Sequence, residues 1–153
     1  MKGPTALGAL ALVCGVAVEI HAQQQNDLSK TKVPMVSVVG CASHTSDGTW
    51  MLINATDGTD TKEVFSSTEE IAEAKKRKLG TNRYKLVGTA EFGTKEDLLK
   101  LPERAAFTRP EVANASGQLQ NGRKLVVKGL LISAPNEKRL NLVSVVQLAD
   151  ACQ

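Results

Sequence analysis

KLVVKGLLIS (residues 124–133), APNEKR (134–139) and LNLVSVVQL (140–148) form the stretch on which the fold turns. Two apolar, β-branched runs flank a segment containing Pro135-Asn136, a pattern that predicts a β-hairpin. In the first run Leu125, Val127 and Leu131 share one face, and Gly129 between them marks a corner where backbones approach closely. In the second run Leu140, Leu142, Val146 and Leu148 share a face with Ser144. Cys152 follows directly, in the segment ADAC (149–152).

Upstream, MVSVVGC (35–41) reads as a first strand, with Gly40 marking a bend or bulge. Turn chemistry at Asp47-Gly48 leads into TWMLIN (49–54), a second strand that pairs with the first as a hairpin. Asp57-Gly58-Thr59-Asp60 breaks the pattern. Ser67 and Glu70 then supply a capping box for a helix over 68–78, with an acidic start, a basic end and Gly80 as its stop. Its narrow apolar stripe of Ile71, Ala74 and Leu79 places it on the surface. RYKLVG (83–88) makes a third strand with Tyr84 and Leu86 on one face. Thr94 to Asp97 caps a short second helix that Pro102 stops, and residues 103–122 read as a long loop.

The N-terminal end predicts export. Lys2, an apolar run from Ala6 to Val18 and the small residue Ala22 form a secretory signal peptide over 1–22, and 23–32 is a polar, flexible leader. The apolar run is shorter than the roughly 20 residues a membrane span requires, so no span is expected after cleavage. Cleavage removes Cys14 and His21 and leaves Cys41, Cys152 and His44. Two cysteines in an oxidising compartment usually pair, so a Cys41–Cys152 disulfide is expected, with two separate buried thiols as the alternative. Residues 33–153 then form one domain whose core is aliphatic, since aromatics make up 3% of the chain. The formal charge of +3 survives loss of Lys2 and Glu19 and argues only faintly for an anionic partner.

The element order predicts a mainly β fold with minor α content. It is that of a five-stranded, OB-fold-like antiparallel barrel with a helix between its third and fourth strands and one extra inserted helix. An open antiparallel sheet with helices on one side is the rival. Val39-Gly40-Cys41, Asp47-Gly48-Thr49 through Leu52 to Asn54-Ala55-Thr56, Tyr84-Lys85-Leu86-Val87-Gly88, Lys124-Leu125-Val126-Val127-Lys128-Gly129 and Cys152 resemble the successive motifs of small exported bacterial OB-fold domains. More remotely, the layout is similar to the periplasmic bacterial OB-fold family. The resemblance implies a fold and an exported location, periplasmic or extracellular, and it supplies no catalytic residues. The 68–78 helix and the 103–122 loop depart from it.

Chemistry-bearing motifs are sparse. One histidine in a turn and two paired cysteines offer neither a metal cluster nor a base beside a nucleophile, and no phosphate or dinucleotide fingerprint occurs. No cofactor and no metal are implied, and the chain does not read as an enzyme. Asp57 and Asp60 read as an ordinary polar turn. Lys75, Lys76, Arg77, Lys78, Arg83 and Lys85 form the strongest charge feature, and OB-folds often bind single strands. Export, however, carries the protein away from cytoplasmic nucleic acid, and stacking platforms reduce to Trp50 and Tyr84. The expectation is therefore a binding module for a small ligand or envelope protein, working around Trp50, Tyr84 and the adjacent loops. An oligonucleotide- or polyanion-binding module using the basic residues is the alternative.

Overall fold

The computed structural model describes residues 33–100 and 115–152. The expected signal peptide, the leader and residues 103–114 of the long loop lie outside the described residues. In chain order the elements are β1 (Met35–His44), β2 (Trp50–Ala55), β3 (Thr59–Asp60), α1 (Thr68–Lys76), β4 (Asn82–Val87), α2 (Lys95–Lys100), β5 (Lys124–Ala134) and β6 (Glu137–Ala149). The fold is mainly β, and its strands form one mixed sheet of six rather than five. The sixth is β3, whose residues carry turn chemistry yet pair with Val36 and Ser37 of β1.

The closing hairpin is longer and less regular than its alternation predicts. Ala134 opposes Glu137, so the turn shrinks to Pro135-Asn136, and Glu137, Lys138 and Arg139 extend β6. Proline presets the backbone of the first turn position, which permits so tight a reversal. The 13 residues of β6 pair with the 11 of β5 through two bulges, one at Val143 and one at Leu148. A single extra residue reverses which side chains face inward. Leu140, Leu142 and Val145 therefore enter the main core, whereas Val146 and Leu148 join a separate cluster on the opposite face. The single face expected for Leu140, Leu142, Val146 and Leu148 is thus split. Gly129 stands beside the first bulge, where a Cβ would lie 2.6 Å from the Asn141 carbonyl oxygen.

Pairing runs continuously from strand to strand. β1 pairs with β5 through Met35 to Cys41, then exchanges that neighbour for β2 from Cys41 to His44. Gly40 sits at the exchange, where a Cβ would lie 2.7 Å from Leu52 Cγ. β2 pairs with β4, β6 runs parallel to β4 through Leu86↔Leu140 and its neighbours, and β5 and β6 complete a ring of hydrogen-bonded strands. Each ring strand sends side chains to the main core: Val36 and Val38, Leu52, Tyr84 and Leu86, Leu125 and Val127, Leu140 and Val145. Leu119, expected in a loop, is 1% exposed and belongs to this core.

A second layer lies on the outer face of β1, β5 and β6. Ala74, Ile71 and Leu79 from α1 and its continuation pack on Val39, Val126 and Leu148. The capping box forms as read: the Ser67 hydroxyl accepts from the Glu70 N–H, and the Glu70 carboxylate accepts from the Ser67 N–H. The helix stops at Lys76 with Arg77 as its cap, three residues before Gly80. Two lysines of β5 hold its two ends. Lys128, with a side chain 1% exposed, donates to Glu70 (3.1 Å) and to the Phe65 carbonyl (2.9 Å) at the start of α1. Lys124 donates to the Lys75 and Arg77 carbonyls (3.1 and 3.2 Å) at its end, where helix carbonyls lack partners. Four residues of strand advance roughly 13 Å and nine of helix about as far, so one strand reaches both helix ends.

Cys41 and Cys152 form a disulfide across 111 residues, placed where β1 exchanges neighbours. Replacing both cysteines with serine should lower stability by up to about 4–5 kcal/mol, read as a fall in the denaturant midpoint. A second outcome concerns pH. The Ser67 N–H, reinforced by Lys128, holds the Glu70 carboxyl below its ordinary value of 4.5. That contribution is complete above the unfolded value and fades as pH falls through the lower folded one. Glu70→Gln should therefore flatten the loss of stability between about pH 5 and pH 3, measured by urea titration at each pH.

Candidate functional site

A cleft of about 330 Å³ opens beside the only tryptophan of the chain. Its lining is His44, Gly48, Trp50, Thr89, Ala90, Gly93, Asp97 and Leu98. One wall is the β1–β2 turn. There the Asp47 carboxylate accepts from the Thr45 hydroxyl and from the Thr49 N–H, while the Thr45 and Thr49 backbones bond to each other. Those bonds, led by the Thr45 hydroxyl, hold the Asp47 carboxyl below the usual carboxylate range. A turn so fixed sets His44 directly opposite Trp50, and their rings stack with centroids 4.4 Å apart. The His44 N–H donates to the Asn121 side chain at 2.9 Å, which ties this wall to the approach to β5.

The opposite wall is the β4–α2 connection. The Phe92 and Gly93 N–H groups both bond to the Thr89 carbonyl, closing a turn. Residues 116–119 strap this turn from behind, with the Leu119 N–H bonded to the Phe92 carbonyl at 2.8 Å. Thr94 then caps α2 by accepting from the Asp97 N–H, and its hydroxyl donates to the Asp97 carboxylate. The Thr94 hydroxyl, with help from Lys100 at 3.3 Å, keeps the Asp97 carboxyl below the usual range. Leu98, nearly fully buried, closes the wall with an apolar surface. The cleft thus joins two stacked aromatic rings, one ionised carboxylate, a hydroxyl and apolar backing. Of two other cavities, one of about 140 Å³ beneath α1 is lined by Ser37, Thr59, Glu70, Glu73 and Arg77 among others, and one of about 460 Å³, larger than the cleft, is lined by Gly88, Ala90, Glu91, Phe92, Leu142 and Val143.

The residues singled out from sequence are placed very differently. Trp50 lines the cleft. Tyr84 does not belong to a surface: it is 1% exposed in the main core, and its hydroxyl donates to the buried Thr56 carbonyl. Its alternation with Leu86 marks an inward face, so the expected second stacking platform is absent. Lys75, Lys76, Arg77 and Lys78 are exposed at the end of α1, and Arg83 is exposed on β4. Lys85 is half-buried and pairs with Glu137 at 3.8 Å. None of these six lines the Trp50 cleft. Among the described residues, no group of three or more His, Cys, Asp or Glu side chains is placed to hold a metal ion.

Sequence reasoning missed His44, Asp97 and Thr89. His44 reads as a solvated turn residue until strand register sets it across from Trp50, and Asp97 reads as the partner of the Thr94 cap because it is one. No protein-family model, curated protein or solved structure matches the chain. Tyr84→Phe should cost about 0.5–1.5 kcal/mol through loss of the bond to Thr56, and Tyr84→Ala about 3–5 kcal/mol through the cavity left in the core. Chemical denaturation of the two variants provides the measurement.

Proposed function

We propose that the chain is an exported, non-enzymatic binding module of OB-fold type, and that the Trp50 cleft receives its ligand or a projecting group of an envelope partner. The observation that carries the reading is the cleft itself: a cavity of ligand size beside a stacked His44–Trp50 pair, between a turn and a loop that are both held by hydrogen bonds. The OB-fold assignment is supported by the ring order β1-β2-β4-β6-β5, by the parallel β4–β6 pairing, and by α2 between β4 and β5. Export is supported by the long-range disulfide, since such bonds persist in oxidising compartments. Among the described residues no helix is long and apolar enough to cross a membrane.

Recognition suits the site better than catalysis. The His44 ring is engaged by Trp50, and the Asp97 carboxylate by Thr94 and Lys100, so both groups are held in place by structural partners. Asp97 supplies the only carboxylate on the lining, which contains neither lysine nor arginine. A neutral or cationic ring fits this chemistry better than a polyanion. The polyanion reading has one observation in its favour, the exposure of Lys75, Lys76, Arg77 and Lys78 on consecutive positions. Burial of Tyr84 deprives it of an aromatic platform.

Because Trp50 is the only tryptophan, its fluorescence reports on the cleft alone. Titration with neutral oligosaccharides, small organic amines and a single-stranded oligonucleotide discriminates the readings. A saturable spectral shift with either of the first two classes, weakened at least about tenfold in Asp97→Ala, supports the cleft. Oligonucleotide binding that falls steeply with salt and is lost on reversing Lys75, Lys76, Arg77 and Lys78 supports the alternative. No spectral response to the first two classes overturns the cleft reading, and no binding of a labelled oligonucleotide by anisotropy overturns the alternative, whose basic residues lie outside the cleft.

A further inference from the structure

Phe65 is 81% exposed, and Val64 beside it is 40% exposed. The chain has only five aromatic residues of the Phe, Tyr and Trp types, and this one faces solvent from a fixed backbone. The Phe65 carbonyl accepts from the buried ammonium of Lys128 at 2.9 Å, and two residues later Ser67 begins the capping box. Just before it, the Thr61 hydroxyl accepts from the Glu63 N–H and donates to the Glu63 carbonyl. The ring is thus presented by residues anchored on both sides.

Charge on α1 indicates what would cover it. The exposed side begins with Glu69, passes the small Ala72 and Glu73, and ends with Lys75 and Lys76, followed by Arg77 and Lys78. Among the described residues, no ion pair engages the side chains of Glu69, Glu73, Lys75, Lys76, Arg77 or Lys78. An anionic membrane surface is a poor match for Phe65, because Asp60, Glu63, Glu69 and Glu73 lie on or next to its own segment. The complementary surface has an exposed helix with bases at the end that meets Phe65 and acids at the other. Another α1, turned end for end, has that form.

We propose that two copies of the chain associate through antiparallel packing of α1 about a two-fold axis near Ala72. Counting along the helix, Glu69 then faces Lys75 of the second copy, and Phe65, which precedes the helix, lies towards the second copy's basic end. An isologous contact of this kind uses each charge pair twice. The helix is roughly 13.5 Å long, so the contact is smaller than the roughly 800 Å² per partner of a standard interface, and a micromolar, reversible dimer is expected. The proposal does not depend on the Trp50 cleft.

Sedimentation equilibrium of the full chain, freed of any cleaved leader, tests it. The expected result is a monomer–dimer equilibrium that weakens at least about tenfold between roughly 50 and 500 mM salt, and again with Phe65→Ser. Glu69→Lys/Glu73→Lys and Lys75→Glu/Lys76→Glu should each remain monomeric alone, and an equal mixture of the two should restore the dimer. These substitutions spare Glu70, Lys124 and Lys128, and circular dichroism confirms folding. A wild type that stays monomeric to several hundred micromolar, or a dimer indifferent to salt, to Phe65→Ser and to charge reversal, overturns the proposal.

Discussion

Three parallel residue pairs between β4 and β6 carry the architecture, because they are the seam at which the last strand meets the middle of the chain. Once β6 must serve β4 on one side and β5 on the other, its unusual properties follow. It must be long, its Arg139, Leu140 and Asn141 pair with both neighbours at once, and the Val143 and Leu148 bulges add local twist beyond them. The enclosed space must be filled almost wholly by Val, Leu and Ala. Tyr84 is admitted because its hydroxyl finds the Thr56 carbonyl, and Leu119 is drawn in from a segment without regular structure.

The seam leaves the opposite face of β1 and β5 with its own apolar stripe, Val39 and Val126, which α1 covers. Here the chain uses lysine as a structural residue. On β5, Lys124, Val126 and Lys128 all point outward; the valine meets the helix at its middle and the lysines hold its two ends. Burial of Lys128 is tolerable because its ammonium has both a carbonyl and a carboxylate as partners. The same arrangement fixes the backbone from which Phe65 projects.

Much of this was legible from residues alone, and the failures share a cause. Periodicity located the hairpin, β1, β2 and β4, and the capping signatures located both helices, because these are local signals. The two-residue strand at Thr59–Asp60 and the bulges in β6 are decided by what lies opposite, and only Gly129 hinted at them. Lys128 sits at an outward position and reads as a solvated charge until a helix is laid over it. For the site, Trp50 was found by its rarity. Tyr84 was misplaced because alternation tells which residues share a face but not which face is inward. His44 and Asp97 became part of a site only through contacts across the fold.

The location of the seam and of the disulfide also orders events in time. Nothing before residue 137 can complete the ring, and the tether requires residue 152. While the chain is being made, at roughly 5–20 residues per second, β1 and β4 present edges whose partners do not yet exist. Such edges are prone to pair with other chains, and non-local closure of this kind is slow. The protein therefore passes through a vulnerable interval that ends only when its last strand arrives, and closure of the Cys41–Cys152 bond, in which both thiols give up their protons and one electron each to an external oxidant, marks the end of that interval.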